Sequence, residues 1–548
     1  MKYNQDGSRE GVCSHGSLDD RGFFCHEVTR RNLFCQACGL APLAFRFPTH
    51  AAATTKRPNI LYILADDLGY GDLSCYNSAS AWKTPHLDRL ASEGLRFTDA
   101  HSASSLCTPS RYALLTGRYA WRGALKKGVL QGYSPPLIEA GRITVAEFLR
   151  QHGYATAMFG KWHLGLEWDR KGPRPADVDF TKPVHGGPLA CGFERFYGIS
   201  ASLDMPPYVW IENDRVTGVP NREVSDNPAP KLWRAGPIAP DFRMEEVQSR
   251  LTEKTIAYIV DRAASHDGRP FFLYLALAAP HTPVLPTREF GGKTRTTSYG
   301  DFVAQVDADV GRILATLEQH GLAQNTLVIF TADNGFAPAV SIPEHARIHH
   351  DPSGGLRGYK SDLFEGGHRV PYISRWPGKT SAGARCSEPV GQLDLFATCA
   401  EILGEPIPPS AGEDSASMLP LLLQGKQTVP RRAPLVNHSA DGEFAIRDGR
   451  WKLLLCPGSG GWSPPTSAPS PWLKAEAADL SKLPPFQLYD LAVDPAEKNN
   501  LADRHPEIVQ SLGRRLRKCI EHGRGTPGDP EEVDTRDWPQ IAWFRAFD

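Results

Sequence analysis

The stretch SSLCTPSRYALLTGR, residues 104–118, is the part of the sequence most specific to one fold. A polar run ends at Cys107, and Pro109 follows where the first turn of a helix tolerates a missing N–H. The apolar residues after it continue as a helix that Gly117 ends. Cys107 is therefore predicted just ahead of a helix N-terminus, where unpaired N–H groups and the helix dipole favour an anion. Arg111, one turn further on, is placed to bind an oxyanion.

A buried structural cysteine is the alternative interpretation of Cys107. The stretch resembles the Cys-x-Pro-x-Arg signature of the type I sulfatases, including the Leu-Leu-Thr-Gly-Arg at 114–118 that usually follows it there. In that family the cysteine is oxidised to formylglycine, whose hydrated form attacks sulfur. The resemblance implies that Cys107 is the modified residue and that a formylglycine-generating or radical maturation enzyme is a partner.

Outside this stretch, four apolar strands are predicted to end in polar residues. Residues 58–65 form a near-continuous apolar run, typical of a strand buried on both faces in a parallel sheet. Open α/β sheets bind their ligands at the carboxyl ends of such strands. The residues that follow the four strands, and that we expect on one rim, are Asp66 and Asp67, Lys161 and His163, His281, and Asp333 and Asn334.

The acidic residues on this rim predict a metal site. Asp66, Asp67, Asp333 and Asn334 offer only oxygen ligands, which favour Ca²⁺ or Mg²⁺ over zinc. A pair of carboxylates facing water is the alternative for Asp66 and Asp67, but at the end of a buried strand they would repel without a cation between them. The sulfatase resemblance implies Ca²⁺, with Cys107 in its modified form as a further ligand.

The remaining site residues come from two further motifs. Lys161 and His163 lie in Gly-Lys-Trp-His-Leu-Gly, and Lys360 lies in a segment, residues 354–371, that resembles the lysine segment of the same family. A glycine-rich surface loop is the alternative for this segment. The loop-rich stretch 166–245 contains Asp204, which we assign to substrate binding. Surface structure packed on the core is the alternative for this segment.

The resemblance implies a role for each of these side chains. Lys161, Lys360 and Arg111 neutralise charge on the sulfate oxygens, as in phosphoryl transfer. His281, with Lys360, protonates the leaving alcohol, and His163 accepts a proton from the second hydroxyl of the hydrated aldehyde. Alanine at Cys107 is expected to abolish turnover, whereas alanine at Asp362 is not.

Composition limits the class of protein. The 548 residues carry a net charge of −1, with 61 basic and 62 acidic residues scattered along the chain, so nothing indicates a nucleic-acid partner. No apolar run has the length of a membrane span. The motifs predict an α/β fold with a large mixed, mostly parallel central sheet flanked by helices, alkaline-phosphatase-like, and a small C-terminal antiparallel-sheet subdomain.

Three segments are predicted along the chain: a leader or tail at 1–55, a catalytic domain at 56–430 and the C-terminal subdomain at 431–548. Paired arginines at 30–31, an apolar run and Ala51–Ala53 resemble a twin-arginine export signal. This predicts a periplasmic or secreted enzyme, with a cytoplasmic location as the alternative. The sequence leaves open whether the cysteines other than Cys107 pair.

The resulting hypothesis is a sulfuric ester hydrolase that acts on small-molecule or glycan sulfate esters. A sulfated carbohydrate is the preferred substrate, with aryl sulfates as model substrates. One alternative is a phosphomonoesterase or phosphodiesterase of the same superfamily. Another is a protein that binds sulfated glycans without turnover.

Overall fold

A computed structural model describes residues 57–340, 342–424, 432–473, 475–531 and 533–548. The predicted leader at 1–55, with its twin-arginine motif and the Cys35–Cys38 pair, lies outside the described residues. None of the helices in the described ranges is both long and apolar enough to cross a membrane. The seven cysteines of the described residues form no disulfide.

The strands fall into one large sheet, one four-stranded sheet and three small pairs. The first eleven in chain order are β1 (Asn59–Asp66), β2 (Leu95–Phe97), β3 (Ala100–His101), β4 (Ala155–Lys161), β5 (Glu167–Trp168), β6 (Val184–His185), β7 (Arg195–Ile199), β8 (Ile211–Glu212), β9 (Arg215–Val216), β10 (Arg222–Val224) and β11 (Gly236–Ile238). The later ones are β12 (Phe271–Pro280), β13 (Thr326–Ala332), β14 (Tyr372–Arg375), β15 (Ala384–Cys386), β16 (Val390–Gly391), β17 (Leu435–His438), β18 (Phe444–Asp448), β19 (Trp451–Leu454) and β20 (Gln487–Asp490).

The described residues form ten α-helices. They are α1 (Pro85–Glu93), α2 (Cys107–Thr116), α3 (Val145–Gln151), α4 (Val247–Ala264), α5 (Ser298–Gln319), α6 (Ile342–Arg347), α7 (Glu365–His368), α8 (Leu395–Leu403), α9 (Leu419–Gln424) and α10 (Pro506–Glu521). α4 and α5 pack on each other and on β12, and α3 packs on β4 and α8.

The large sheet has ten strands in the order β15-β2-β14-β13-β1-β12-β4-β7-β8-β9. The central strands β13, β1, β12, β4 and β7 are mutually parallel, whereas β14, β8 and β9 run antiparallel to their neighbours. Every residue of β1, β4, β12 and β13 is buried, as expected for parallel strands covered on both faces. The predicted mixed, mostly parallel sheet flanked by helices is confirmed.

The C-terminal part contains the predicted small antiparallel sheet, with strands in the order β17-β18-β19-β20. β18 and β19 form the hairpin indicated by Asp448-Gly449-Arg450, and Gly449 has the positive φ of 62° that this tight turn requires. α10 covers the sheet with its apolar face. The boundary at 430/431 stays a prediction, because residues 425–431 lie outside the described part of the chain.

The stretch 166–245 differs from its interpretation as loops. It contains seven short strands, and β7 joins the central sheet beside β4. The sequence did not predict β7 as a strand. Its five residues are buried except for the first, so apolar and polar side chains do not alternate clearly along it. Its pairing partner, β4, lies more than thirty residues earlier, so only tertiary structure makes it a strand.

Candidate active site

The carboxyl ends of four adjacent parallel strands carry the predicted polar residues. In the order β13-β1-β12-β4, Asp333 follows β13, Asp66 ends β1, His281 follows β12 and Lys161 ends β4. All four side chains are at most 8% exposed. The rim expected from the sequence is thus formed by neighbouring strands, which explains how residues up to 267 positions apart meet.

Cys107 lies over this rim at the start of α2. The helix begins at Cys107, earlier than the expected start at Pro109, and Gly117 ends it with φ of 65° as predicted. The Sγ atom is 3.7 Å from Oδ1 of Asp66 and 3.9 Å from Oδ1 of Asp67. Burial raises the pKa of the Cys107 thiol, so the unmodified side chain is protonated at neutral pH and a weak nucleophile.

Three buried carboxylates around Cys107 are each paired with a cation. Lys161 Nζ lies 2.9 and 2.7 Å from the two oxygens of Asp66, and Lys360 Nζ lies 2.8 Å from Oδ2 of Asp67. Asp333 accepts two hydrogen bonds on Oδ2 from Arg111, at 2.9 and 2.7 Å. Three negative and three positive groups therefore balance, although each is almost fully buried.

The pairing fixes the ionisation of these groups. Burial acts to raise the pKa of Asp66, but the charges of Lys161, His281 and Arg111 outweigh it and hold the pKa below its ordinary value. Burial acts to lower the pKa of Lys161, yet the Asp66 carboxylate outweighs it and the pKa is raised. Asp66 is consequently an ionised acceptor and Lys161 is charged.

Asp67 connects the remaining predicted metal ligands. Its backbone N–H donates to Oδ1 of Asp333 at 3.1 Å, and Asn334 Nδ2 donates to its Oδ1 at 2.7 Å. Asp67 itself has a positive φ of 59°, a strained conformation for a non-glycine residue that a surrounding network must hold. Oδ1 of Asn334 is buried without a partner in the described part of the chain.

A metal ion could be held at this point. One potential ligand atom from each of Asp66, Asp67, Cys107 and His281 lies within 4.8 Å of all the others. Asp333 and Asn334, predicted as ligands, reach this group through their hydrogen bonds to Asp67. The structure brings all five predicted metal-site residues together and adds His281.

The two histidines differ in what their ring nitrogens contact. Nε2 of His163 lies 2.8 Å from the carbonyl oxygen of Leu130, which can only accept, so Nε2 carries the proton. Nδ1 of His163 is buried without a partner among the described residues, so its lone pair is free. Nδ1 of His281 donates to the carbonyl of Thr282, and its Nε2 lies 3.4 Å from Asp67 Oδ2.

A pocket of about 310 Å³ opens beside Cys107. Of the predicted site residues, those that line it are Asp67, Cys107, His163, Asp204, His281 and Lys360. Lys161 and Arg111 are fully buried behind the carboxylates and do not line it. Lys360 is therefore exposed to a ligand, whereas Lys161 and Arg111 support Asp66 and Asp333 from behind.

Four further residues of this site were missed in the sequence. Ser202 lies between Lys161 Nζ, at 3.2 Å, and the ring of His281, at 3.3 Å from Nε2. Arg234, Trp462 and Trp472 line the pocket. No local signal marks them, because Ser202 follows the unpredicted strand β7 and the tryptophans lie in a Pro-, Ser- and Gly-rich run that indicates only a loop.

Known proteins are similar to this chain in sequence and structure. A family model described as Sulfatase matches residues 58–405. An N-acetylgalactosamine-6-O-sulfatase of Bacteroides thetaiotaomicron is 36% identical over 501 residues, covering 84% of this chain and 93% of that protein. Human arylsulfatase A is 37% identical over 476 residues, covering 84% of this chain and 87% of that protein.

A solved structure agrees with these sequence matches. It comes from work on the metabolism of multiple glycosaminoglycans by Bacteroides thetaiotaomicron, has a TM-score of 0.74 and is 34% identical, covering 85% of this chain and 99% of that one. The family match spans more than half of the 548 residues and contains the stretch 104–118. The chain belongs to the sulfatase family, whose members are sulfuric ester hydrolases.

Proposed function

We propose that this protein hydrolyses sulfate monoesters of carbohydrates, through a formylglycine made from Cys107 and with Ca²⁺ at the neighbouring carboxylates. The observation that carries the proposal is the position of Cys107. It begins a buried helix, lies within 4 Å of two buried aspartates and faces a pocket that Lys360, His163 and His281 also line. A group at this position meets the substrate, the proton-transfer groups and the charged cluster at once.

The buried thiol favours a modified nucleophile. Burial raises the pKa of Cys107, and the two carboxylates beside it add negative charge, so a thiolate is disfavoured there. A hydrated aldehyde instead presents hydroxyl groups, one to attack sulfur and one to release sulfate afterwards. Because Cys107 is only 2% exposed, its maturation enzyme must act before the fold closes.

The donors around Cys107 fit Ca²⁺. Asp66, Asp67, Asp333 and Asn334 supply carboxylate and amide oxygens, and the unpartnered Oδ1 of Asn334 is a buried acceptor that requires a positive partner. The three carboxylates are already balanced by Lys161, Lys360 and Arg111. When bound, Ca²⁺ would supply the net positive charge that attracts an anionic sulfate ester and favours the deprotonated nucleophile.

Proton transfer is assigned to the two histidines. His163 has a free Nδ1 lone pair and a proton fixed on Nε2 by Leu130, so it is oriented to accept a proton from a hydroxyl at position 107. In its doubly protonated form His281 donates from Nδ1 to Thr282 and holds a second proton on Nε2, which faces Asp67 and the pocket; transfer of that proton to the leaving alcohol leaves the ring neutral. Lys360 binds a sulfate oxygen, while Lys161 and Arg111 position the carboxylates.

The test compares sulfate and phosphate release by the purified protein after co-expression with a formylglycine-generating enzyme. We expect sulfate release from sulfated monosaccharides and from an aryl sulfate, loss of activity with a chelator and recovery with Ca²⁺. Mass spectrometry of the peptide containing residue 107 should find the aldehyde. Faster turnover of the matched aryl phosphate would contradict the proposal and favour the phosphomonoesterase or phosphodiesterase alternative.

The matched variants are Cys107→Ala and Cys75→Ala. Cys75 is half-buried and outside the pocket, so its variant keeps activity. Cys107→Ala is expected to reduce kcat/KM by at least about 10³-fold, because the nucleophile is lost. Equal activity in both variants would exclude residue 107 as the nucleophile.

Export through the twin-arginine motif, and with it a periplasmic or secreted location, is also part of the proposal. Fractionation of cells that express the full chain, with and without Arg30→Lys and Arg31→Lys, tests it. A cytoplasmic enzyme in both cases would overturn it.

A further inference from the structure

We infer that Asp204, Arg234, Trp462 and Trp472 form a subsite that binds the sugar ring of the substrate and sets the preference for sulfated carbohydrates over aryl sulfates. This inference rests on the proposed hydrolysis of sulfate esters at Cys107. All four residues line the same pocket as Cys107. Two of them form a polar wall and two an aromatic wall.

The polar wall offers both an acceptor and donors for hydroxyl groups. Oδ2 of Asp204 accepts from Nη1 of Arg234 at 2.5 Å, whereas its Oδ1 is buried without a partner in the described residues. Burial acts to raise the pKa of Asp204, but His281, Arg234 and the two site lysines outweigh it, so the carboxylate is ionised. An unpartnered charged oxygen is costly to bury unless a ligand donates to it.

Arg234 is held in place while part of its guanidinium stays free. Its backbone N–H donates to the carbonyl of Asp204 at 3.0 Å, and its own carbonyl accepts from Tyr208 at 2.6 Å. The side chain is 48% exposed, and its Nε and Nη2 have no hydrogen-bond partner among the described residues. A fixed acceptor beside two free donors suits neighbouring hydroxyl groups of one ring.

The aromatic wall consists of Trp462 and Trp472, whose ring centroids lie 6.4 Å apart at 69°. Trp472 is the one aromatic side chain in the described ranges that is exposed, at 37%, and it lies at the pocket. An indole face left open beside a polar wall can bury the C–H face of a pyranose, while the hydroxyl edge reaches the charged pair.

The aromatic wall is attached to the turn that carries Lys360. The backbone N–H of Trp462 donates to Oγ of Ser361 and to Oδ1 of Asp362, both at 2.9 Å. A Cβ on Gly461 would lie 2.3 Å from the carbonyl oxygen of Ser361, so only glycine permits this close approach. The wall is therefore preformed at a fixed position relative to the sulfate-binding lysine.

The experiment uses Asp204→Asn, Arg234→Ala, Trp472→Ala and Trp472→Phe, with a panel of sulfated hexoses and hexosamines and with phenyl sulfate. For the best sugar of the panel, we expect Arg234→Ala and Trp472→Ala each to raise KM about tenfold or more, with kcat changed less than about threefold. Asp204→Asn should raise the same KM by a similar factor, and Trp472→Phe should restore most of the loss. Because phenyl sulfate has no hydroxyl groups, Arg234→Ala should change its KM less than about threefold.

Two controls separate recognition from folding. Arg174→Ala removes an arginine that is 77% exposed and lies outside the pocket, and Val493→Ala alters an apolar side chain that is 75% exposed. Both should behave as the unmodified protein. Inhibition by inorganic sulfate should be the same in Trp472→Ala as in the parent. An equal rise in KM for sugar and phenyl sulfates in Arg234→Ala, or no rise in Trp472→Ala, would overturn the subsite.

Binding to Cys107→Ala makes the two proposals separable. We expect the tightest-binding sugar of the panel to change the tryptophan fluorescence of Cys107→Ala. Adding Trp472→Ala to this variant should weaken the binding of that sugar about tenfold or more. Sugar binding that depends on Trp472, without turnover of any sulfate ester, would contradict the proposed function but support the subsite. Turnover of phenyl sulfate without binding of any sugar would contradict the subsite alone.

Discussion

Among the buried clusters of charged residues in the described part of the chain, two differ in whether a buried polar atom lacks a partner. The catalytic cluster, around Cys107, consists of Asp66, Asp67, Arg111, Lys161, His281, Asp333, Asn334 and Lys360. The interface cluster lies where the large sheet region meets the C-terminal sheet and consists of Asp99, His101, Glu365, His368, Arg369, Arg447, Lys452 and Glu497. The first borders the pocket beside Cys107 and retains an unpartnered buried amide oxygen, Asn334 Oδ1, whereas each charge of the second faces an opposite charge, including Glu497 Oε1 at 2.9 Å from Lys452 Nζ.

The interface cluster is closed by short ion pairs. Asp99 pairs with Arg447, and Lys452 Nζ lies 3.0 Å from Glu365 and 2.9 Å from Glu497. The same Nζ is 3.1 Å from Nε2 of His368. Although His101, Glu365 and His368 could form a metal-binding group by composition, a lysine already occupies the position between Glu365 and His368.

Its histidines are buried and uncharged. Burial lowers the pKa of both His101 and His368, so both rings are neutral. Nε2 of His101 lies 2.7 Å from Oδ1 of Asp99, and its Nδ1 lies 3.0 Å from Nδ1 of His368. Nε2 of His368 lies between the carbonyl oxygen of Leu363, at 3.0 Å, and Lys452 Nζ, at 3.1 Å. The difference teaches that unpartnered atoms at a pocket, rather than buried charge itself, distinguish a reactive site from a structural one.

The largest effect is expected from Asp333→Asn, which alters the catalytic cluster. Asparagine could still accept both hydrogen bonds from Arg111 on its one oxygen, but it removes one of three negative charges and leaves Arg111 with only Asp66, 3.6 Å from its Nη2, as a carboxylate partner. We expect kcat/KM for an aryl sulfate to fall at least about 10³-fold, or about 4 kcal/mol in transition-state stabilisation. A loss below tenfold would show that this carboxylate is structural only.

The second-largest effect is expected from Lys452→Met in the interface cluster, and it should alter stability rather than activity. Glu497 loses its cation, and Glu365 keeps Arg369 and the more distant Arg447, so we expect the free energy of unfolding to fall by about 3–5 kcal/mol. At temperatures where the variant is folded, kcat/KM should change less than about threefold. Urea unfolding and aryl sulfate kinetics measure the two quantities.

The control for Lys452 is Lys254→Met. Lys254 and its partner Glu212 are 36% and 52% exposed, and loss of such a surface pair costs at most about 1 kcal/mol. Loss of activity in folded Lys452→Met would show that the two clusters are not functionally separate.

The smallest effect is expected at Asp362, which is fully partnered like the interface cluster but adjoins the pocket. Its carboxylate accepts from the backbone N–H groups of Tyr359, Trp462 and Ser463. Alanine would leave these donors unsatisfied, so Asp362→Ala is unsuitable as the inert control that the sequence indicated. Asp362→Asn keeps an acceptor for Trp462, and we expect kcat/KM within about threefold of the parent.

The pH dependence of stability provides the measurement at Asp362. Burial raises the pKa of Asp362 to about 6 from 3.8, so its contribution to stability is complete below pH 4 and is lost as pH rises through 6. Between pH 4 and pH 6, the free energy of unfolding of the parent should fall by about 2–3 kcal/mol relative to that of Asp362→Asn. Urea unfolding at each pH measures this difference. A difference that is constant with pH would mean that Asp362 is ionised in the fold.

Patterns of apolar residues within short stretches predicted the strands in which every side chain is buried. β1, β12 and β13 were recognisable because a strand buried on both faces needs an apolar side chain at every position. The polar residues at their ends followed, since parallel strands in one sheet end on one edge. Thr84 shows the limit of such patterns: a threonine just before a helix is a typical N-cap, but the hydroxyl of Thr84 contacts Ser74 and Asp88 and no backbone N–H of α1.

Residues that act through distant contacts could not be predicted. Ser202, Arg234, Trp462 and Trp472 lie on segments without periodicity, and their neighbours in the pocket are tens to hundreds of positions away. The roles expected for Lys161 and Arg111 likewise depended on direction, which the sequence does not encode. In the structure Lys161 pairs with Asp66 and Arg111 with Asp333, neither lines the pocket, and their roles toward sulfate stay predictions.

The sequence by itself determined the family, the central sheet and the identity of the groups at its rim, because burial and signature spacing are local properties of the chain. Tertiary structure decided which of those groups face a ligand, which only support them, and which further side chains complete the pocket. The physical reason is that exposure and pairing depend on the packing of segments far apart in the chain, which no stretch of sequence specifies alone.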